Sequence, residues 1–236
     1  RFSRFLPMLL LGGRVLAAQP STPASAPAPT AAGYVLTESM IPMRDGTRLY
    51  TRILAPANPA RPLPFLFVRT PYGVDGNTSD RVATNWGFMA RDIARDGYVY
   101  VFQDIRGKFK SEGQFVMQRP PRANRADPKA IDESTDAYDS IDWLLTHVPN
   151  NNGRVGMTGV SYDGWTAAMA MLDPHPALKA AVPMSPMVDG WMGDDWFHNG
   201  AFRQTMLDYF TGQTATKNDE DPVAMGHRDY YAEFLS

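Results

Sequence analysis

Apolar and polar positions along the chain switch between a period near two and a helical period, and the switching predicts alternating strands and helices. Ile41-Pro-Met and Thr47-Arg-Leu-Tyr-Thr-Arg-Ile-Leu flank Arg44-Asp45-Gly46, and an Asp-Gly pair between such runs predicts a hairpin. Pro64-Phe-Leu-Phe-Val-Arg reads as a buried strand ending at Thr70-Pro71-Tyr72-Gly73. Residues 86–96 carry apolar residues at helical spacing and stop at Gly97, after which Tyr98-Val-Tyr-Val-Phe is the next strand. From Asp136, the positions Ala137, Ile141, Leu144, Leu145 and Val148 share one helical face, and Pro149 before Asn-Asn-Asn-Gly ends that helix. Arg154-Val-Gly-Met-Thr-Gly159-Val runs as a strand into Ser161, a helix follows over residues 165–172, and Leu178-Lys-Ala-Ala-Val-Pro is a further strand. Such alternation means a mostly parallel sheet with helices on both faces, an α/β fold whose sites form at the carboxyl ends of strands. Tyr72, Arg106 and Ser161 all fall at such ends. From Trp191 onward the pattern is polar-aromatic and helical without strand runs, which predicts the start of a helical cap over the sheet.

Composition narrows the chemistry. The 236 residues suffice for one domain with an ample core, and 44% apolar residues with 11% aromatics exclude disorder of the whole. Lys+Arg 23 against Asp+Glu 25, with no long basic block, points away from nucleic acid and from anionic lipid. The chain has no cysteine, which rules out disulfides, a thiol nucleophile and thiolate metal sites. Its four histidines, at 147, 175, 198 and 227, show no paired-ligand spacing, so no metal is expected. Arg1 and Arg4 precede an apolar run over residues 5–11, with small residues near 17–18, a layout that resembles a secretory signal peptide. That run falls far short of the ~20 residues needed to span a bilayer. Residues 19–32 are nearly all Pro, Ala, Ser and Thr and read as a flexible linker or arm, with folded structure from about Tyr34.

The stretch around Ser161 carries the sharpest chemical signal. A serine between a parallel strand and a helix sits on a strained turn that projects its hydroxyl above the sheet, and the next backbone N–H faces a developing oxyanion. Gly159 and Gly164 supply small residues where strand and helix nearly touch, although Asp163 stands where the usual hydrolase signature has its second glycine. On these residues alone, a plain strand-turn-helix of any α/β sheet fits as well.

Four motifs resemble the α-amino acid ester hydrolases, which belong with the X-prolyl dipeptidyl peptidases, cocaine esterase and the glutaryl acylases. They are Arg69-Thr-Pro-Tyr72, Gln103-Asp-Ile-Arg-Gly107 with Ser111-Glu-Gly113, Gly159-Val-Ser-Tyr-Asp-Gly164, and Ser185-Pro-Met-Val-Asp-Gly-Trp-Met-Gly-Asp-Asp-Trp-Phe-His198. The similarity covers residues 34–210, and the last motif is the most specific. It implies an α/β-hydrolase fold with Ser161 as the acyl-accepting nucleophile and an oxyanion hole made by the Tyr162 N–H and the Tyr72 phenol. It further implies that Asp195 belongs to a carboxylate cluster gripping a substrate's α-ammonium group; Asp194 is the competing choice, and an acidic pair capping a helix is the reading without the motif. Arg106 reads as structural, tying loops together. His198 is rejected as the base, because in this fold the chain order is serine, acid, histidine, and His198 follows Ser161 too closely.

The resemblance places the catalytic Asp and His beyond residue 236, so the chain reads as an N-terminal fragment. Residues 1–18 form the signal peptide, 19–33 the linker or arm, 34–190 the N-terminal part of the hydrolase domain and 191–236 the start of the cap. The implied activity is cleavage or transfer of esters and amides of α-amino acids, including α-amino β-lactam side chains, in the periplasm or medium and without a cofactor. Family members often assemble as tetramers through N-terminal arms, and residues 19–32 fit such an arm or a plain linker equally. The rivals are an X-prolyl dipeptidyl peptidase, a cocaine-esterase-like esterase and a truncated, non-catalytic protein.

Overall fold

The computed structural model describes residues 33–75, 97–203, 209 and 212–213. Its main sheet has six strands in the order β1-β2-β4-β3-β5-β6. β1 (Tyr34–Pro42) and β2 (Arg48–Pro56) form the predicted antiparallel hairpin, with Tyr34 opposite Pro56 and Pro42 opposite Arg48. Its turn closes where the Met43 carbonyl accepts from Gly46 N at 2.8 Å, and Gly46 takes the positive φ of 85° that favours glycine there. β3 (Leu63–Thr70), β4 (Val99–Asp104), β5 (Asn151–Val160) and β6 (Leu178–Met184) are mutually parallel where they pair, and β2 meets β4 antiparallel. The central strands β3 and β4 are buried nearly throughout, as their unbroken apolar runs require.

α1 (Glu133–His147) begins three residues before the apolar stripe, because Asp132 caps it. The Asp132 carboxylate accepts from Thr135 N at 2.9 Å and Thr135 Oγ1 accepts from Asp132 N at 3.0 Å, a reciprocal capping box. Val148, expected on the helix, is its C-cap. α2 (Tyr162–Met169) likewise begins earlier than the expected Trp165, directly at the residue after Ser161.

Both described helices contribute to one core, where Ala137, Ile141, Leu144 and Ala167 meet Phe65, Phe67, Val101 and Met157. The opposite face of the sheet carries Leu54, Leu66, Val68, Tyr100 and Phe102. The helix expected over residues 86–96 lies outside the described residues, as do residues 1–32. Among the described residues, no helix is long and apolar enough to cross a membrane.

One local expectation is corrected. Residues 191–203 are not helical: β7 (Phe197–His198) and β8 (Ala201–Phe202) form a short hairpin through Asn199 and Gly200, at φ 48° and 81°. Asn-Gly is the residue pair a two-residue hairpin turn prefers, and this local signal outweighs the polar-aromatic composition. Tyr209 and residues 212–213 are helical.

Candidate active site

Ser161 follows β5 directly and holds φ 59° and ψ −118°, a strained conformation for a residue with a Cβ. Two contacts hold it there: its N–H donates to the Met184 carbonyl at 3.0 Å, and its carbonyl accepts from Trp165 N at 2.9 Å. The flanking glycines are steric necessities. A Cβ on Gly159 would lie 2.3 Å from the Asp163 backbone, and one on Gly164 would lie 2.5 Å from the Met184 carbonyl oxygen. The second glycine therefore serves the contact with β6, and the position after Tyr162 is free to carry Asp163. These contacts make the stretch a nucleophile elbow in shape, where the residues alone left a plain turn open.

Tyr162 is the first residue of α2, so its N–H points out of the helix start, while its ring is fully buried and packs edge-on to Trp165 at 5.2 Å between centroids. The Tyr162 hydroxyl accepts from Gln118 N at 3.2 Å, fixing the ring from the far side. Tyr72 lies two residues past β3, the strand beside β5. Its hydroxyl lies 3.2 Å from the Tyr209 hydroxyl and accepts from Gln213 Nε2 at 2.9 Å. Burial, with the Tyr209 hydroxyl adding to it, pushes the Tyr72 phenol well above its ordinary pKa, so it stays a protonated donor.

Ser161 opens onto a cleft of about 880 Å³ that Asp194, Asp195, His198 and Arg203 also line. Ser161 and Asp195 are thus brought together, whereas Tyr72 does not line this cleft. The Asp194 carboxylate accepts from Asp195 N at 2.7 Å. Burial pushes the Asp194 carboxyl up; that N–H opposes the rise and the Asp195 charge adds to it. His198 is exposed at the rim and makes no hydrogen bond to Ser161. His147 stacks on Trp143 at 4.2 Å, and His175 Nδ1 accepts from Ala177 N at 3.0 Å, so both serve the fold. His227 lies outside the described residues.

Arg106 plays the structural part expected of it. Its guanidinium donates to both oxygens of Asp136, at 3.0 and 2.7 Å, and to Asp45 at 2.7 Å. Beside it lies a partner that sequence reasoning missed: Arg69, fully buried, donates to Gln103 Oε1 and Glu133 Oε2 at 2.8 Å each and sits 3.6 Å from Asp136. The Arg69 and Gln103 motifs are therefore one clamp joining β3 and β4 to the start of α1. Two buried carboxylates were missed as well. Burial pushes Asp163 up to about 7 against a hydrogen bond from the Thr70 hydroxyl, and pushes Asp104 up to about 7 with the Asp75 charge contributing. No cluster of three metal-ligating side chains occurs among the described residues.

This arrangement has close counterparts. Over 93% of the chain, the structure matches a solved α-amino acid ester hydrolase at 44% identity and a TM-score of 0.72. It matches an aminopeptidase from the marine sediment archaeon Thaumarchaeota archaeon at 39% identity over 92% of the chain, with a TM-score of 0.71. A cocaine esterase from Rhodococcus sp. (strain MB1 Bresler) is 37% identical over 156 residues, 66% of this chain. The chain spans 36% of each of those two structures and 24% of the cocaine esterase. The family model described as X-Pro dipeptidyl-peptidase (S15 family) matches residues 45–235, from the loop carboxylate on Arg106 through the elbow and the acidic pair, and the chain belongs to that family.

Proposed function

We propose that the full-length protein is a serine hydrolase of the α-amino acid ester hydrolase type, exported to the periplasm or medium and acting on small esters and amides with a free α-amine. The observation that carries the proposal is the strained Ser161 elbow opening onto the same cleft as Asp194 and Asp195. Ser161 Oγ attacks the substrate carbonyl, and its proton passes to the histidine that the resemblance places later in the full-length protein. The tetrahedral oxyanion is met by the Tyr162 N–H, with the protonated Tyr72 phenol as the second donor that the resemblance implies. Collapse expels the alcohol or amine with that proton, and water resolves the acyl-enzyme by the same steps.

Asp195, with Asp194, holds the ammonium group. Carboxylates left unpaired by a neutral substrate penalise its binding, so acylated amines are rejected. The solved relatives named for amino acid esters and for aminopeptidase action support this reading, and α-amino β-lactam side chains fall within the same substrate class. Two measurements test it. A fluorophosphonate should label Ser161 in the full-length protein and fail on Ser161→Ala. Phenylglycine methyl ester should be hydrolysed much faster than its N-acetyl form, and equal rates would remove the role given to Asp195.

A further inference from the structure

The cleft that holds the acidic pair also holds a cation, Arg203. Its side chain is exposed and forms no ion pair with Asp194, Asp195 or any other described carboxylate. The hairpin fixes where the backbones that carry these charges stand. Successive carbonyls of an extended strand point to opposite sides, and here the Phe197 carbonyl accepts from Asp194 N at 3.1 Å while the Trp196 carbonyl accepts from Arg203 N at 2.7 Å. Gly193 bridges His198 on one side of β7, and Phe202 pairs with Phe197 on the other. Asp194 and Arg203 therefore stand on opposite sides of β7, with Asp195 in the turn that leads into it. Both backbones are pinned by these hydrogen bonds.

We propose that Arg203 is a specificity-determining residue that binds a carboxylate on the leaving half of the substrate, so that the preferred substrates are dipeptides and other α-aminoacyl amides whose amine half carries a carboxylate. The inference rests on the reading that Asp194 and Asp195 hold the α-ammonium. With the acyl end engaged there, a second charge of opposite sign meets Arg203 only from beyond the scissile bond. The guanidinium fork suits a carboxylate, and a cation facing solvent in a wide cleft is open to a ligand that brings one. A substrate bearing both charges spans β7 and lays its carbonyl over Ser161.

The test uses the full-length protein and two amides with one acyl half, phenylglycyl-4-aminobenzoate and phenylglycyl anilide. The wild type should favour the carboxylate-bearing amide by roughly tenfold in kcat/KM at low ionic strength, and added salt should shrink the preference. Arg203→Ala should abolish the preference by slowing the carboxylate-bearing amide far more than the anilide, and Arg203→Lys should keep part of it. Equal wild-type rates on the two amides, or an Arg203→Ala variant that slows both alike, would overturn the assignment. Phenylglycine methyl ester lacks the carboxylate and separates the two readings. If the wild type cannot hydrolyse it, the hydrolase reading and this inference fail together; if it can, and the amides do not differ, only the role of Arg203 fails.

Discussion

The same side-chain types lie in two places in this molecule and face opposite demands. Under the strand ends, Arg69, Arg106, Glu133 and Asp136 are each at most 3% exposed and joined into one paired network with Asp45. In the cleft, Asp194, Asp195 and Arg203 reach the surface and form no ion pair among the described residues. A charge taken out of water must be matched by its own fold, because leaving one partner alone there costs several kcal/mol. A charge at a cleft is hydrated until a ligand arrives, so its lack of a partner marks it as available. Pairing thus separates the residues that hold the elbow in place from those that face a substrate.

The largest test of this contrast is Asp136→Ala, which removes the carboxylate between Arg69 and Arg106. The loss should be about 3–5 kcal/mol of folding free energy, read from a urea midpoint, because two buried guanidinium groups lose their shared partner.

Asp163 breaks the rule and sharpens it, being a buried carboxyl with one oxygen lacking a partner among the described residues. Its pKa in the fold, about 7, lies above the ordinary 3.8. The folded state therefore holds this proton more tightly than the unfolded chain. The stabilisation is complete below about pH 4 and is lost as pH rises towards 7, up to about 4 kcal/mol. Asp163→Asn cannot ionise and should show a shallower fall in denaturation midpoint between pH 4 and 7. An unchanged profile would mean that the carboxyl is hydrated in the folded protein.

On the cleft side, Asp195→Asn should leave the urea midpoint within about 0.5 kcal/mol of wild type. It should nevertheless lower kcat/KM for phenylglycine methyl ester roughly a hundredfold, with little effect on the N-acetyl ester. A large stability loss would place Asp195 with the buried network instead. The smallest effect is expected of Glu112→Gln, whose partner Arg48 is 57% exposed. That pair should be thermodynamically silent, with no resolvable change in midpoint.

How far the sequence could be read follows the same division. The strand periods, the helical periods behind Glu133–His147 and Tyr162–Met169, the Asp-Gly hairpin and the strand-serine-helix turn rest on contacts between near neighbours, and the described residues show each of these. The Asn199-Gly200 hairpin and the Asp132–Thr135 capping box are also locally encoded, but both lie in polar stretches where apolar periodicity carries no signal. Arg69 could not be read in this way. Its partners Gln103 and Glu133 stand 34 and 64 positions away, and nothing short of the packed sheet indicates that they meet.

The sequence by itself determined the alternation of elements, the serine at a strand end and the glycines that let α2 approach β5 and β6, because backbone sterics and apolar periodicity act over a few residues. Only the tertiary structure decided the strand order that exchanges β3 and β4, the buried arginine clamp, and the gathering of Asp194, Asp195 and Arg203 at one cleft with Ser161. Those depend on which distant surfaces are buried together, and burial decides whether a given charge is paired, neutralised or left for a ligand.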